Sequence, residues 1–415
     1  MTFAGFFMRR HSLGHISLPP TAFSRYWQAH MRTTIPLTRR TFLAATGAWA
    51  LSQSLTSAQG PALQNKPAGD AGFPLIIPGY FGSRAGVQLG TQLPATASDE
   101  DLQWVRQLGV EWVMTSLPAR ESNLENYQKL INRFAQHGLK IYRLANDSCH
   151  NMEEVTLNLP GRDAKIDEYL AYLRLLGKAG IHYSTYAHMG NGIWSSPTRE
   201  LTRGGADARA LRLDTAVGRW AGKTWQQPLS HGRRYSEEEL WENYTHFIRR
   251  VVPVAEEAGV YIGIHPDDPT GFEMGGIPRC IFGTFAGYVR ALEIANSPNI
   301  GVCLCVGSWI EGGERTGKPV VEAIRHFASQ KKLFKVHFRN VSAPLPTGFV
   351  ETFPDDGYID MAQVMRALVE SGYTGAVISD HLPNMVGGRR ASESYAVGYM
   401  RGLIQAAAGS TPEHK

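Results

Sequence analysis

The feature that most restricts the fold of this chain is an alternation. Short β-rich runs are separated by longer amphipathic segments, eight times over. The runs are 86–90 (with 74–80 a less secure candidate), 110–115 "VEWVMT", 139–144 "LKIYRL", 181–187 "IHYSTYA", 260–264 "VYIGI", 300–305 "IGVCLC", 333–338 "LFKVHF" and 375–379 "GAVIS". Runs this short and this apolar read as strands buried on both faces. The segments between them carry helix signals. "SDEDLQWVRQLG" opens on Ser98 with an acidic first turn and closes at Gly109, and "DAKIDEYLAYLRLLGKAG" and "SEEELWENYTHFIRRVVPVAEEAG" repeat that design. Eight strand–helix units predict an α/β chain folded as a (β/α)8 TIM barrel. The competing open doubly wound sheet is disfavoured because no G-x-G-x-x-G loop follows any strand. The barrel is placed at 74–410. Its largest insertion, 189–235, is rich in Gly, Arg and Trp and lies between the fourth strand and its helix, so it is expected to lie over the active face.

Charge matters for the first sixty residues. The 415-residue chain carries a formal +5, yet residues 1–69 hold no Asp or Glu. In "LTRRTFLAATGAWALSQSLTSAQG", Arg39-Arg40 precede an apolar stretch broken by Gly47 and Ser52, then a small-residue site at Thr56-Ser57-Ala58. This is the layout of a twin-arginine export signal, with a stretch too short to span a membrane. Residues 1–58 are therefore expected to be an N-terminal extension and signal, and 59–73 a linker. Cleavage after Ala58 removes six arginines and takes the formal charge from +5 to −1. That withdraws support for a nucleic-acid or anionic-membrane partner. The expected location is periplasmic or otherwise exported; a homo-oligomer is left open. Of four cysteines, Cys303 and Cys305 sit two apart on one strand, a poor geometry for a bridge, and no disulfide framework is expected.

Barrel strands point their C-terminal ends at one mouth. The last four ends carry His265, Cys305, His337 and Asp380, four potential metal ligands at equivalent positions. Two imidazoles, a thiolate and a carboxylate leave Zn, Mn, Fe, Co and Ni all open. Cys303, deeper on the same strand face, is assigned to the core. Asp267 and Asp268 have three readings: orienting a ligand, acid–base work, or capping the next helix.

At these residues the sequence resembles the mannonate dehydratases, which belong to the xylose-isomerase-like (β/α)8 barrels. The resemblance is strongest in "ALRLDT", "YSEEELWENY", "VPVAEEAGVYIGIHPDDP", "CVGS", "VHFRNV" and "SDH". It implies a divalent metal, Mn²⁺ with Fe²⁺ as the alternative, held by His265, Cys305, His337 and Asp380. It also implies a catalytic role for His381. Two departures stand out. Thr270 replaces a second proline after "HPDDP", and the family's Pro-Asp-His-Gly-His run becomes Ser379-Asp380-His381-Leu382-Pro383, which lacks its second histidine. The family's final-helix tyrosine aligns with Tyr395 or Tyr399.

The resemblance implies a hydro-lyase that takes a small-molecule sugar acid, D-mannonate, to 2-keto-3-deoxy-D-gluconate by removing the C2 proton and expelling the C3 hydroxyl. His381 is the first acid–base candidate and Tyr395 the second. Arg339, Asp267 and Arg212 are the candidates for binding substrate. Arg339 reads either as facing its carboxylate or as an outward salt bridge. Arg212, with Lys223 in the insertion, reads either as closing over the anion or as a solvated loop charge. The rivals are a metal-dependent sugar isomerase or epimerase of the same barrel superfamily and a sugar-acid binding protein without turnover.

Overall fold

A computed structural model describes residues 86–409. The signal, the linker and the 74–80 run lie outside the described residues. All eight strands of the barrel come from the sequence runs: β1 (Gln88–Gln92), β2 (Trp112–Leu117), β3 (Lys140–Asn146), β4 (Tyr183–Tyr186), β5 (Tyr261–Ile264), β6 (Ile300–Cys305), β7 (Leu333–His337) and β8 (Ala376–Ile378). Each is followed by a long helix: α1 (Asp99–Gln107), α2 (Leu124–Gln136), α3 (Arg162–Ala179), α4 (Glu237–Ala258), α5 (Phe285–Ala295), α6 (Val320–Ser329), α7 (Met361–Glu370) and α8 (Gly388–Gly409).

The strand order is β3-β2-β1-β8-β7-β6-β5-β4, parallel throughout. The ring almost closes. β3 and β4 lie side by side without a backbone ladder, and one bridge, Asn151 with Ala187, joins the chain just past their ends. The seam is held by side chains. The Tyr172 hydroxyl, from α3, donates to Leu144 O at 2.8 Å and lies 3.2 Å from Ser184 Oγ, and the Tyr142 and Tyr183 rings meet at 4.9 Å.

The helix ends follow their sequence signals with one exception. Ser98 and Ser236 each complete a capping box, with Asp101 and Glu239, and Gly259 ends α4 at φ +63°. α3 departs from the expected design. Its cap is Gly161, which offers no side-chain acceptor, and the acidic Asp163 serves only in the first turn.

Two strands carry an extra residue. In β3 the register jumps from Ile141 to Arg143 opposite consecutive β2 residues, and in β7 from Leu333 to Lys335 opposite consecutive β6 residues. Tyr142 and Phe334 are the residues passed over. The Tyr142 hydroxyl donates to Phe334 O at 2.7 Å, which joins the two irregularities through the barrel interior.

The 189–235 insertion is built of short strands over the mouth. Residues 193–195, 217–220 and 223–225 form one antiparallel sheet. Residues 210–211 pair with 349–352, a hairpin arm from the β7–α7 connection.

Candidate metal centre and its cavity

A cavity of about 350 Å³ opens at the C-terminal ends of the strands. β1 supplies Gln92, β2 Ser116, β3 Arg143, β4 Thr185 and β7 His337, with His265 from the residue after β5. The location follows from the fold, because the C-terminal strand ends and the βα loops meet on that face.

His265, Cys305 and His337 come together there, each offering a ligand atom within 4.8 Å of the others'. His265 Nδ1 donates to Pro266 O at 2.6 Å, which fixes its tautomer and leaves Nε2 as the donor atom for a cation. The two imidazole rings lie 5.0 Å apart. Cys305 is fully buried. Burial works against its thiolate, but the Arg339 charge and contacts from His265 and His337 hold its pKa well below the usual thiol value. The Ser308 amide also donates to its sulfur at 3.4 Å.

Asp380 stands at the edge of this trio. Its Oδ1 is 3.3 Å from His337 Nδ1 and its Oδ2 is 3.8 Å from Cys305 Sγ. Burial opposes its charge, and His337 and His381 outweigh burial to hold it well below the carboxylate range. Its backbone adopts φ +62°, a left-handed conformation that Asp tolerates better than most residues.

These residues fit a divalent cation. His337 Nδ1 is buried, makes no well-aligned hydrogen bond and has Asp380 Oδ1 beside it at 3.3 Å, a nitrogen and a carboxylate set for a shared cation. The set combines a thiolate and two imidazoles drawn to one point by neighbouring strands, with the Asp380 carboxylate at their edge. Cys303 is buried as expected, but it is more than core filling, since its sulfur lies 3.6 Å from His337 Nε2.

His381 lines the same cavity. Its Nδ1 donates to Glu351 Oε1 at 3.0 Å. Asp380 first, with Glu351 adding to it against burial, pushes its pKa up to about 9.

The other sequence candidates lie elsewhere. Arg339 does not line the cavity. It is wholly buried beneath the site, giving Nη1 to Glu311 and Glu351 at 2.7 and 2.8 Å and Nη2 to Ser308 Oγ at 2.9 Å, with Nε 3.4 Å from Asp380. Gly307 makes room for it, because a Cβ there would fall 2.5 Å from Arg339 Nε. Asp267 is buried off the cavity, 3.6 Å from Arg279, and burial raises its pKa to about 6. Its neighbour Asp268 is the one at the cavity, paired with Arg209 and Arg339. Neither caps a helix, since α5 begins on Thr284. Arg212 is spent on Glu200 at 2.6 and 2.9 Å, outside the cavity. Tyr395 packs its ring on Phe353, with its hydroxyl 3.4 Å from Arg203. All four cysteines are free.

The sequence reading missed Arg209 and Glu351. Arg209 leaves the insertion to bond Asp268, Glu351 at 2.8 Å and Trp194 O. Glu351 thus receives Arg209, Arg339 and His381 at one oxygen. It also missed Lys335, Arg143 and His150 on the cavity wall. The one available signal was Lys335, a charge inside the apolar run "LFKVHF", two residues before His337 and so on its face.

Comparison with known structures gives the class first. A xylose isomerase domain protein from Alicyclobacillus acidocaldarius superposes with TM-score 0.53 at 16% identity, over 78% of this chain and 100% of that one. The molecule shares that protein's (β/α)8 barrel fold and carries a donor cluster at its mouth. A family model described as D-mannonate dehydratase (UxuA) matches residues 218–409. A mannonate dehydratase of Streptococcus equi subsp. zooepidemicus is 31% identical over 319 residues, 70% of this chain and 85% of its own length. The crystal structure of mannonate dehydratase from Streptococcus suis serotype 2 matches with TM-score 0.68 and 26% identity, over 79% of this chain and 96% of that one. The chain belongs to the mannonate dehydratase family.

Proposed function

We propose that this chain is a metal-dependent hydro-lyase that converts D-mannonate to 2-keto-3-deoxy-D-gluconate. The observation that carries the reading is the meeting of His265, Cys305 and His337 beside a cavity that His265, His337 and His381 line, in a chain of this family. His265, Cys305, His337 and Asp380 would hold the cation, with Mn²⁺ expected and Fe²⁺ the alternative. When bound, a divalent cation supplies fixed positive charge that stabilises negative charge developing on a sugar acid as its C2 proton leaves.

The protein's own groups handle the protons. Glu351 holds the Nδ1 proton of His381, so Nε2 is the atom free to exchange a proton with a ligand in the cavity. Departure of a C3 hydroxyl needs such a donor. Against burial, His381 first and then Arg339 and Arg209 keep Glu351 ionised, so it orients the imidazole without competing for its proton. The insertion, through Trp220 and Ile193, walls the cavity and limits the water that reaches it.

Incubating metal-reconstituted protein with a panel of aldonic acids, followed by mass spectrometry, tests the reading. Loss of one water from D-mannonate is the expected result. A product of unchanged composition would assign an isomerase or epimerase, and calorimetric binding with no product would assign a binding protein. Export by the twin-arginine route is proposed alongside, and cell fractionation that finds the protein only in the cytoplasm would remove it.

A further inference from the structure

We propose that Arg143 and Lys335 form an anion-binding subsite in the cavity, which takes the carboxylate of the sugar acid. The proposal rests on the dehydratase reading for the identity of the ligand, and on the following geometry for the site.

β3 and β7 stand four staves apart in the ring of eight, on opposite walls of the barrel. Each carries one extra residue, and in each the very next residue is the cation, Arg143 after Tyr142 and Lys335 after Phe334. An extra residue breaks the strict alternation of a strand and re-aims the side chain that follows. Both cations line the cavity. The Tyr142 hydroxyl bond to Phe334 O fixes the two irregularities to each other, so the two side chains are presented from a braced floor.

Neither cation has a hydrogen-bonded counter-ion among the described residues, although Cys303, Asp380 and Cys305 lie close enough to Lys335 to favour its charge. Lys335 is 2% exposed and makes no hydrogen bond or salt bridge among the described residues. Arg143 Nε is buried without a partner, and among the described residues the one hydrogen-bond contact at its fork is His150 Nδ1, at 3.4 Å from Nη2. That nitrogen lies 3.0 Å from Thr185 O, so it must carry a hydrogen and donate. It therefore cannot accept from Arg143. Arg339 and Arg209, buried nearby, each meet two or more carboxylates. A buried lysine that no side chain hydrogen-bonds and a half-buried arginine whose Nε has no partner, on facing walls of one cavity, are an arrangement that a bound carboxylate completes. With the metal ligands on β5 to β8, an aldonate would lie with its carboxylate between β3 and β7 and its hydroxyls toward the donor cluster.

The test uses the full metal-loaded protein as wild type, R143Q, R143K and K335M. Metal content and thermal melting are measured for each. Calorimetry follows 2-keto-3-deoxy-D-gluconate, an anion that is not consumed, and mannitol, the uncharged counterpart of mannonate. The expected result for R143Q and K335M is retained metal and a rise in the acid's dissociation constant of about tenfold to a hundredfold, the scale of a lost charge-assisted hydrogen bond. Mannitol binding stays as in wild type, and R143K recovers part of the loss. Folded, metal-loaded R143Q that binds the acid within about twofold of wild type overturns the subsite. Loss of metal in step with loss of binding in K335M makes that lysine a counter-ion of the thiolates and overturns its place in the subsite. The two readings fail separately. Water loss from mannonate with an unchanged KM in both variants removes the subsite and keeps the dehydratase. Acid binding that both variants abolish, without water loss in wild type, removes the dehydratase and keeps the subsite.

Discussion

Asp380 shows how a single residue joins backbone conformation to chemistry. Its left-handed φ of +62° turns the carboxylate toward His337 and Cys305. Asn shares Asp's tolerance for that conformation, whereas Ala pays about 1–2 kcal/mol to adopt it. Asp380→Asn is therefore expected to melt near the wild-type temperature while losing metal affinity. Asp380→Ala should lose both, and paired melting and metal-content measurements separate the two. At this scale the site was legible where a polar residue closes an apolar run, as at His265, Cys305, His337 and Asp380. Arg339 was not legible as a buried group. Its partners Glu311, Glu351, Asp268 and Ser308 come from three separate loops, and a cation two residues past a strand end reads equally well as solvent-facing.

Elements carry the next level of organisation, and the hairpin arm 349–352 is the most consequential. It pairs with the insertion at 210–211 and brings Glu351 beneath His381. Removing this carboxylate leaves Arg339 short of a counter-charge in a fully buried place. Glu351→Ala is expected to cost about 3–5 kcal/mol of stability, the scale for breaking one side of a buried ion pair. Urea unfolding measures that loss, and a fall in kcat with little change in KM would mark the lost orientation of His381. The barrel strands and most helix ends were readable because each rests on local pattern: apolar runs, Ser caps and terminal glycines. The pairing of the insertion with this hairpin was not, since two-residue strands such as 210–211 have no period to detect. The extra residues of β3 and β7 were hidden for a related reason, because a register shift exists only relative to a neighbouring strand.

For the whole molecule, the donor cluster ties ligand binding to folding. Four consecutive staves, β5 to β8, each end at or beside a candidate ligand, so a cation bound there would fasten half the ring at once. Chelator-treated protein is expected to melt at a lower temperature than Mn²⁺-loaded protein. The stabilisation should grow with free metal, reaching about 2.7 kcal/mol at a hundredfold excess over the dissociation constant. Thermal melts across a metal titration check this, and a melting temperature indifferent to metal would count against the centre.

The join between β3 and β4 carries a consequence of its own. Six of the eight staves are zipped to neighbours on both sides, but these two rely on a tyrosine hydroxyl and a pair of touching rings along their shared border. Breathing of the cylinder should begin along that border, well before global unfolding. Deuterium labelling read by mass spectrometry should find the peptides spanning 140–146 and 183–186 taking up isotope ahead of those from β6 and β7, and Tyr172→Phe should widen the gap in rate.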